Sequence, residues 1–117
     1  MSPLTTTRPA ATRSATTFRS SSSRTEATAL VAFRGELDLA AAPAAATALR
    51  SQLEAGARDI LVDLGQVTYL DCTGLNALVA AARAADMIGA RVYLFRAHGR
   101  AAQLIEWARD SYAIAGL

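Results

Sequence analysis

A chain of 117 residues, 52% of them hydrophobic, is long enough for one small domain with a single buried core and needs no disulfide or metal to close it. All twelve basic residues are Arg, but Arg8, Arg13, Arg19 and Arg24 precede Ala27 with only Glu26 among them, which leaves eight Arg against nine acids in the remainder. A folded part so close to neutral, without a basic cluster interleaved with aromatics, argues against direct nucleic-acid binding. Cys72 is the only cysteine and His98 the only histidine. An intrachain disulfide is therefore excluded, as is a multi-Cys metal centre, and His98 is expected to be a loop or capping residue. No apolar run approaches the roughly 18 residues that cross a bilayer, and the N-terminus has no apolar signal core. The expectation is a soluble, cytoplasmic protein that binds no cofactor or metal.

Taken in order, residues 1–12 (MSPLTTTRPAAT) carry too few large apolar groups to offset the entropy of ordering, so a disordered tail is expected there, followed by one domain over 13–117. Ala15 to Arg19 reads as a short edge strand and Ser20 to Glu26 as the turn after it. Ala29 to Phe33 reads as a strand ended by Gly35, with Glu36-Leu37-Asp38 as a loop. Leu39 to Ala55 has helical character, with Pro43 tolerated in its first turn and Gly56 as its stop. Ile60, Leu61, Val62 and Leu64 form a near-continuous aliphatic run, the pattern of a strand buried on both faces. Val67, Tyr69 and Leu70 extend it after a break at Gly65.

The period then changes within Asp71-Cys72-Thr73-Gly74. Leu75, Leu78, Val79 and Ala82 follow at i, i+3, i+4 and i+7, one apolar helical stripe, with Asn76, Ala77, Ala80 and Arg83 pointing elsewhere. Asp71 or Thr73 can cap this helix. After Gly89, Arg91 to Arg96 alternates like a further strand. Gly99 to Asp110 forms a last helix with Ala101, Leu104, Ile105 and Ala108 as its stripe, and Trp107 is expected in core or rim packing. The core is expected around Leu30, Ile60, Leu75, Val92 and Ile105. The order β-β-α-β-α-β-α predicts a single α/β domain, a small mixed sheet of about four strands layered with three to four helices.

No catalytic constellation stands out. His98 and Cys72 have no triad-like spacing, and the glycines form no phosphate-binding loop, so a binding module is expected rather than an enzyme.

Gly35-Glu36-Leu37-Asp38, then Val62-Asp63-Leu64, then Val67-Thr68-Tyr69-Leu70-Asp71-Cys72-Thr73-Gly74-Leu75 resembles, over about residues 13 to 117, the STAS domain of bacterial anti-sigma factor antagonists. The resemblance implies a partner-switching protein. An unphosphorylated antagonist docks on an anti-sigma factor, a serine/threonine kinase of ATPase fold that brings its own ATP and magnesium, and thereby frees a sigma factor. Phosphorylation at the helix start adds about −1.5 to −2 charges, which oppose a desolvated interface. The resemblance implies partner-binding roles for Asp38, Asp71, Cys72, Thr73, Gly74 and Asn76, and a weak homodimer is a further expectation.

The chain departs from the family pattern where the acceptor Ser would follow Asp71, because Cys72 stands there. Three outcomes are open: Thr73 takes the phosphate, the protein binds without switching, or Cys72 acts as a thiol sensor. The alternative to an antagonist is a structural STAS subunit, a scaffold in a signalling assembly or an accessory protein of a lipid-transport complex. Family members often carry a further C-terminal helix where this chain has Ala113 to Leu117, so either a weakened domain or a surface open to a partner is expected.

Overall fold

The computed structural model describes residues 18–112. Its elements run β1 (Arg19–Thr25), β2 (Thr28–Leu37), α1 (Ala42–Glu54), β3 (Asp59–Leu70), α2 (Cys72–Met87), β4 (Arg91–Phe95) and α3 (Gly99–Tyr112). The expected order is therefore the observed one. The four strands form one mixed sheet in the order β1-β2-β3-β4, with β1 antiparallel to β2 and the other pairs parallel.

This strand order fixes where the core lies. Right-handed crossovers that always step to the next strand in the same direction deliver their helices to one face of the sheet. In agreement, α1 packs on α2 and α2 on α3. The three parallel strands bury alternate residues toward that layer: Ala29, Val31 and Phe33 from β2, Ile60, Val62 and Leu64 from β3, and Val92 from β4. The expectation of a strand buried on both faces is corrected accordingly, since Leu61 is only half-buried on the opposite side. Leu30, expected in the core, is 41% exposed on the same open face. The α2 stripe behaves as its spacing predicts, with Leu75, Leu78, Val79 and Ala82 all buried.

The first hairpin differs from expectation. The run Ser20 to Thr25 is strand rather than turn, and the turn is Glu26-Ala27, with Glu26 at φ 54°. A strand at a sheet edge pairs on one side only and here buries neither face, so nothing in its side chains has to be apolar. Ala15 to Thr17 lie outside the described residues, as does the expected tail at 1–12. Phe18, just before β1, packs its ring 5.5 Å from that of Phe33.

Two further corrections concern β2 and β3. Glu36 and Leu37 continue β2 past Gly35, and Gly65 does not break β3. The twelve residues of β3 face the ten of β2, with register shifts between Ala32 and Arg34 and between Gly35 and Glu36. Each shift is a bulge on β3 that adds one residue and re-phases the face. Buried positions therefore run Ile60, Val62, Leu64, Val67 and Leu70, with steps of two before the first bulge and three after it. The bulges keep the apolar residues inside while delivering Asp71 to the start of α2.

The helix ends are held by arginines. Arg24 donates to the carbonyl of Ala55 at the end of α1 (2.6 Å) and Arg58 to that of Gly89 just after α2 (3.2 Å), cations placed where the helix dipole is negative. α1 begins at Ala42 with Pro43 in its first turn, so Leu39 lies in the preceding loop rather than in the helix. Trp107 is 54% exposed and outside the core. His98 is exposed just before α3, its carbonyl accepting from the Ala102 N–H at 3.3 Å. Among the described residues no polar or charged side chain is buried, no helix is long and apolar enough to cross a membrane, and no group of three His, Cys, Asp or Glu could hold a metal ion.

Candidate functional site

β2 and β3 are parallel neighbours that end together, Leu37 opposite Leu70. The loops that follow them, Asp38 onward and Asp71 onward, therefore emerge side by side at one end of the sheet. The contact between the two is Gly74. A Cβ at this position would overlap the carbonyl of Leu37, so only a glycine lets the first turn of α2 rest against the end of β2. The loop and turn that carry the two motifs are joined here by backbone contact.

Each loop is organised by its aspartate. Asp71 is the N-cap of α2, with extended backbone and Oδ1 accepting from the Gly74 N–H at 3.0 Å. Its own carbonyl accepts from Leu75 N–H at 2.9 Å. Thr73 is therefore not the cap. Asp38 plays the matching part in the first loop: its Oδ1 accepts from Ala41 N–H at 3.2 Å and its carbonyl from Ala41 and Ala42. We expect Asp71→Ala to destabilise the domain by about 1 kcal/mol and Asp71→Asn to cost much less, because Asn caps nearly as well. Urea unfolding of the two variants checks this, and equal losses would show that the carboxylate matters for something other than the cap.

The remaining predicted residues separate by exposure. Cys72 is exposed at the first helical position, Thr73 is half-buried behind it, and Asn76 is exposed one turn later, on the same helix face as Cys72. Asp38, Asp71, Cys72, Thr73, Gly74 and Asn76 thus occupy one end of the molecule. The first N–H groups of α2 point outward there without intrahelical acceptors, apart from the one Asp71 satisfies.

Two residues of this end were not singled out from the sequence. Leu39 is 71% exposed and Tyr69 is 52% exposed, two large apolar groups in water beside the turn. Tyr69, Leu70, Asp71 and Cys72 line an open groove of about 460 Å³ whose other wall is Arg100 and Leu104 of α3. Tyr69 follows the second bulge, so period-two counting could not tell which way it faces. For Leu39 a signal existed, since a Leu directly before an alanine-rich helix with a first-turn proline can fall in the loop.

The family model for the STAS domain matches residues 21–109. An anti-sigma-B factor antagonist of Staphylococcus aureus is 33% identical over 72 residues, which span 62% of this chain and 67% of that protein. Among solved structures, an anti-sigma factor antagonist from Mycobacterium paratuberculosis superposes with a TM-score of 0.72 at 20% identity, covering 84% of this chain and 83% of that one. The unphosphorylated anti-sigma factor antagonist SpoIIAA superposes with a TM-score of 0.64 at 15% identity, over 77% and 82% of the two chains. At these identities the superpositions establish the fold, a four-stranded mixed sheet with three helices. The matched model covers the sheet, both motif loops and most of α3, and with the Staphylococcus aureus relative it places the chain: this protein belongs to the STAS domain family.

Proposed function

We propose that this chain is an anti-sigma factor antagonist that docks on an anti-sigma factor through the end carrying Asp38 and Asp71 to Asn76, and so releases a sigma factor. The observation that carries this reading is the junction at Gly74, where the two motif loops meet beside exposed Tyr69 and Leu39. Exposed apolar groups next to a rigid polar turn are what a docking surface requires. The relatives named as antagonists support the role. The partner is an anti-sigma factor of the serine/threonine kinase type, with ATP and magnesium on its side of the complex.

The binder is, in this reading, not switched off by phosphorylation. A kinase needs a hydroxyl it can reach. The exposed position of the first turn holds the Cys72 thiol, while Thr73, the remaining hydroxyl of the turn, is half-buried. Pull-down with the full chain is expected to recover an anti-sigma factor, and recovery of a transporter subunit or a large scaffold instead would overturn the reading. Intact-mass analysis after incubation with that partner and ATP is expected to show no phosphate on the native chain and one on Cys72→Ser. One phosphate on the native chain that Thr73→Ala removes would make Thr73 the acceptor and restore the switch.

A further inference from the structure

On the open face of the sheet, away from the helices, cross-strand register builds two short rows. Arg19 lies opposite Arg34, which lies opposite Gln66; beside them Ser21 lies opposite Ala32, which lies opposite Asp63. The first β3 bulge separates Asp63 from Gln66 and spreads the rows apart. Ala32 is the short residue in the middle. The result is an open cavity of about 430 Å³ lined by Arg19, Ser20, Ser21, Arg34, Asp63 and Gln66 over a floor of Ala32 and Phe33.

The charges in this cavity are unbalanced. Like charges directly opposite on neighbouring strands destabilise the pair, yet Arg19 faces Arg34, and among the described residues neither guanidinium donates a hydrogen bond or forms an ion pair. The one carboxylate that lines the cavity is already engaged: Asp63 Oδ1 accepts from Arg96 Nε and from the Gly65 N–H, both at 2.9 Å. Arg24 and Arg58 hold helix ends, but Arg19 and Arg34 have no such structural duty. Two forked guanidinium groups converging on one concavity, with the Gln66 amide and the Ser21 hydroxyl as neutral donors, match the oxygens of a tetrahedral dianion better than a flat carboxylate.

We propose that this cavity binds the phosphate group of a small phosphorylated ligand, held between Arg19 and Arg34. The site lies on the sheet face and shares no residue with the Asp71 turn, so it stands independently of the antagonist reading. The phosphate belongs either to a free metabolite or to a lipid headgroup. Amide-resolved NMR titration of the full chain with inorganic pyrophosphate and with glycerol 3-phosphate covers the first source, and co-sedimentation with phosphatidylglycerol vesicles the second.

Saturable shifts are expected at the amides of Ser20, Ser21, Arg34 and Gln66. Arg34→Gln should weaken binding by about tenfold or more, as removal of a charged hydrogen-bond donor does. Without anion that variant should melt no lower than the native chain, since it relieves a like-charge pair. Arg91→Gln, on the same face at the far edge strand, should leave binding unchanged. Binding to vesicles alone, lost in Arg34→Gln, would assign a headgroup; binding of the soluble anions would assign a metabolite. No binding in either arm, shifts that never saturate, or equal losses in Arg34→Gln and Arg91→Gln would overturn the site.

Discussion

Gly74→Ala is expected to destabilise the domain by about 2 kcal/mol, lowering its melting temperature by roughly 10 °C. In an exposed helix the same change stabilises by up to about 1 kcal/mol, because alanine loses less backbone entropy. Here the new methyl would overlap the carbonyl of Leu37. Neither partner can yield easily: Leu37 is fully buried and paired with Leu70 in the β2-β3 ladder, and α2 is pinned by the buried Leu75 and Leu78. Overpacking against fixed backbone outweighs the helix gain, and relief requires the start of α2 to slide off the end of β2. Partner affinity should fall together with stability, because that slide separates the Asp38 loop from the Asp71 turn.

Gly65→Ala is the internal control. Its methyl would meet the guanidinium of Arg96, the far end of a flexible and exposed side chain that can swing away. The loss is then one exposed ion pair with Asp63, under about 1 kcal/mol. Calorimetry on the two variants decides the matter. If Gly74→Ala melts like Gly65→Ala, the two motif loops are not locked together and the proposed docking end is less rigid than described.

The contrast between these glycines bears on what a single sequence can carry. Local signals sufficed where one element settles its own geometry. The α2 stripe, Asp71 ahead of it, Pro43 in a first turn and the alternation of β4 all report intrinsic geometry, and with the aliphatic runs they place the six elements from β2 onward in the right order. Three features escaped because their causes are non-local. Ser20 to Thr25 is a strand only because β2 offers a free edge, and four serines have no preference that reveals this. The steps of three at Val67 and Leu70 come from bulges that exist only in register with β2. The open face of the sheet follows from the direction in which the crossovers step, which no run of residues encodes. The resemblance implies a shared partner-binding role for Asp38 and the Asp71 turn, but the physical basis of their meeting, a missing Cβ at Gly74 against the Leu37 carbonyl, becomes visible only when both strands end together.

Tyr69→Ala is expected to weaken the complex with the anti-sigma factor by about 30-fold, equivalent to about 2 kcal/mol, while leaving the stability of the free chain within about 0.5 kcal/mol. Tyrosine is a favoured interface anchor because it presents a large, rigid area with a polar tip at small entropic cost. At 52% exposure Tyr69 still has about half its surface to lose on docking, and it borders the groove that Cys72 and Arg100 share. Leu39, more exposed but more flexible and less often an anchor, should contribute less. Met87 provides the contrast: it is 87% exposed, but it ends α2 and so lies at the opposite pole of the molecule. Calorimetric titration of Tyr69→Ala, Leu39→Ala and Met87→Ala against the same partner therefore locates the interface. A loss confined to the first two places docking at the Asp71 end, whereas a loss at Met87 with Tyr69→Ala unaffected would move it to the other pole and remove the basis for assigning Asp38, Cys72, Thr73 and Asn76 to the interface.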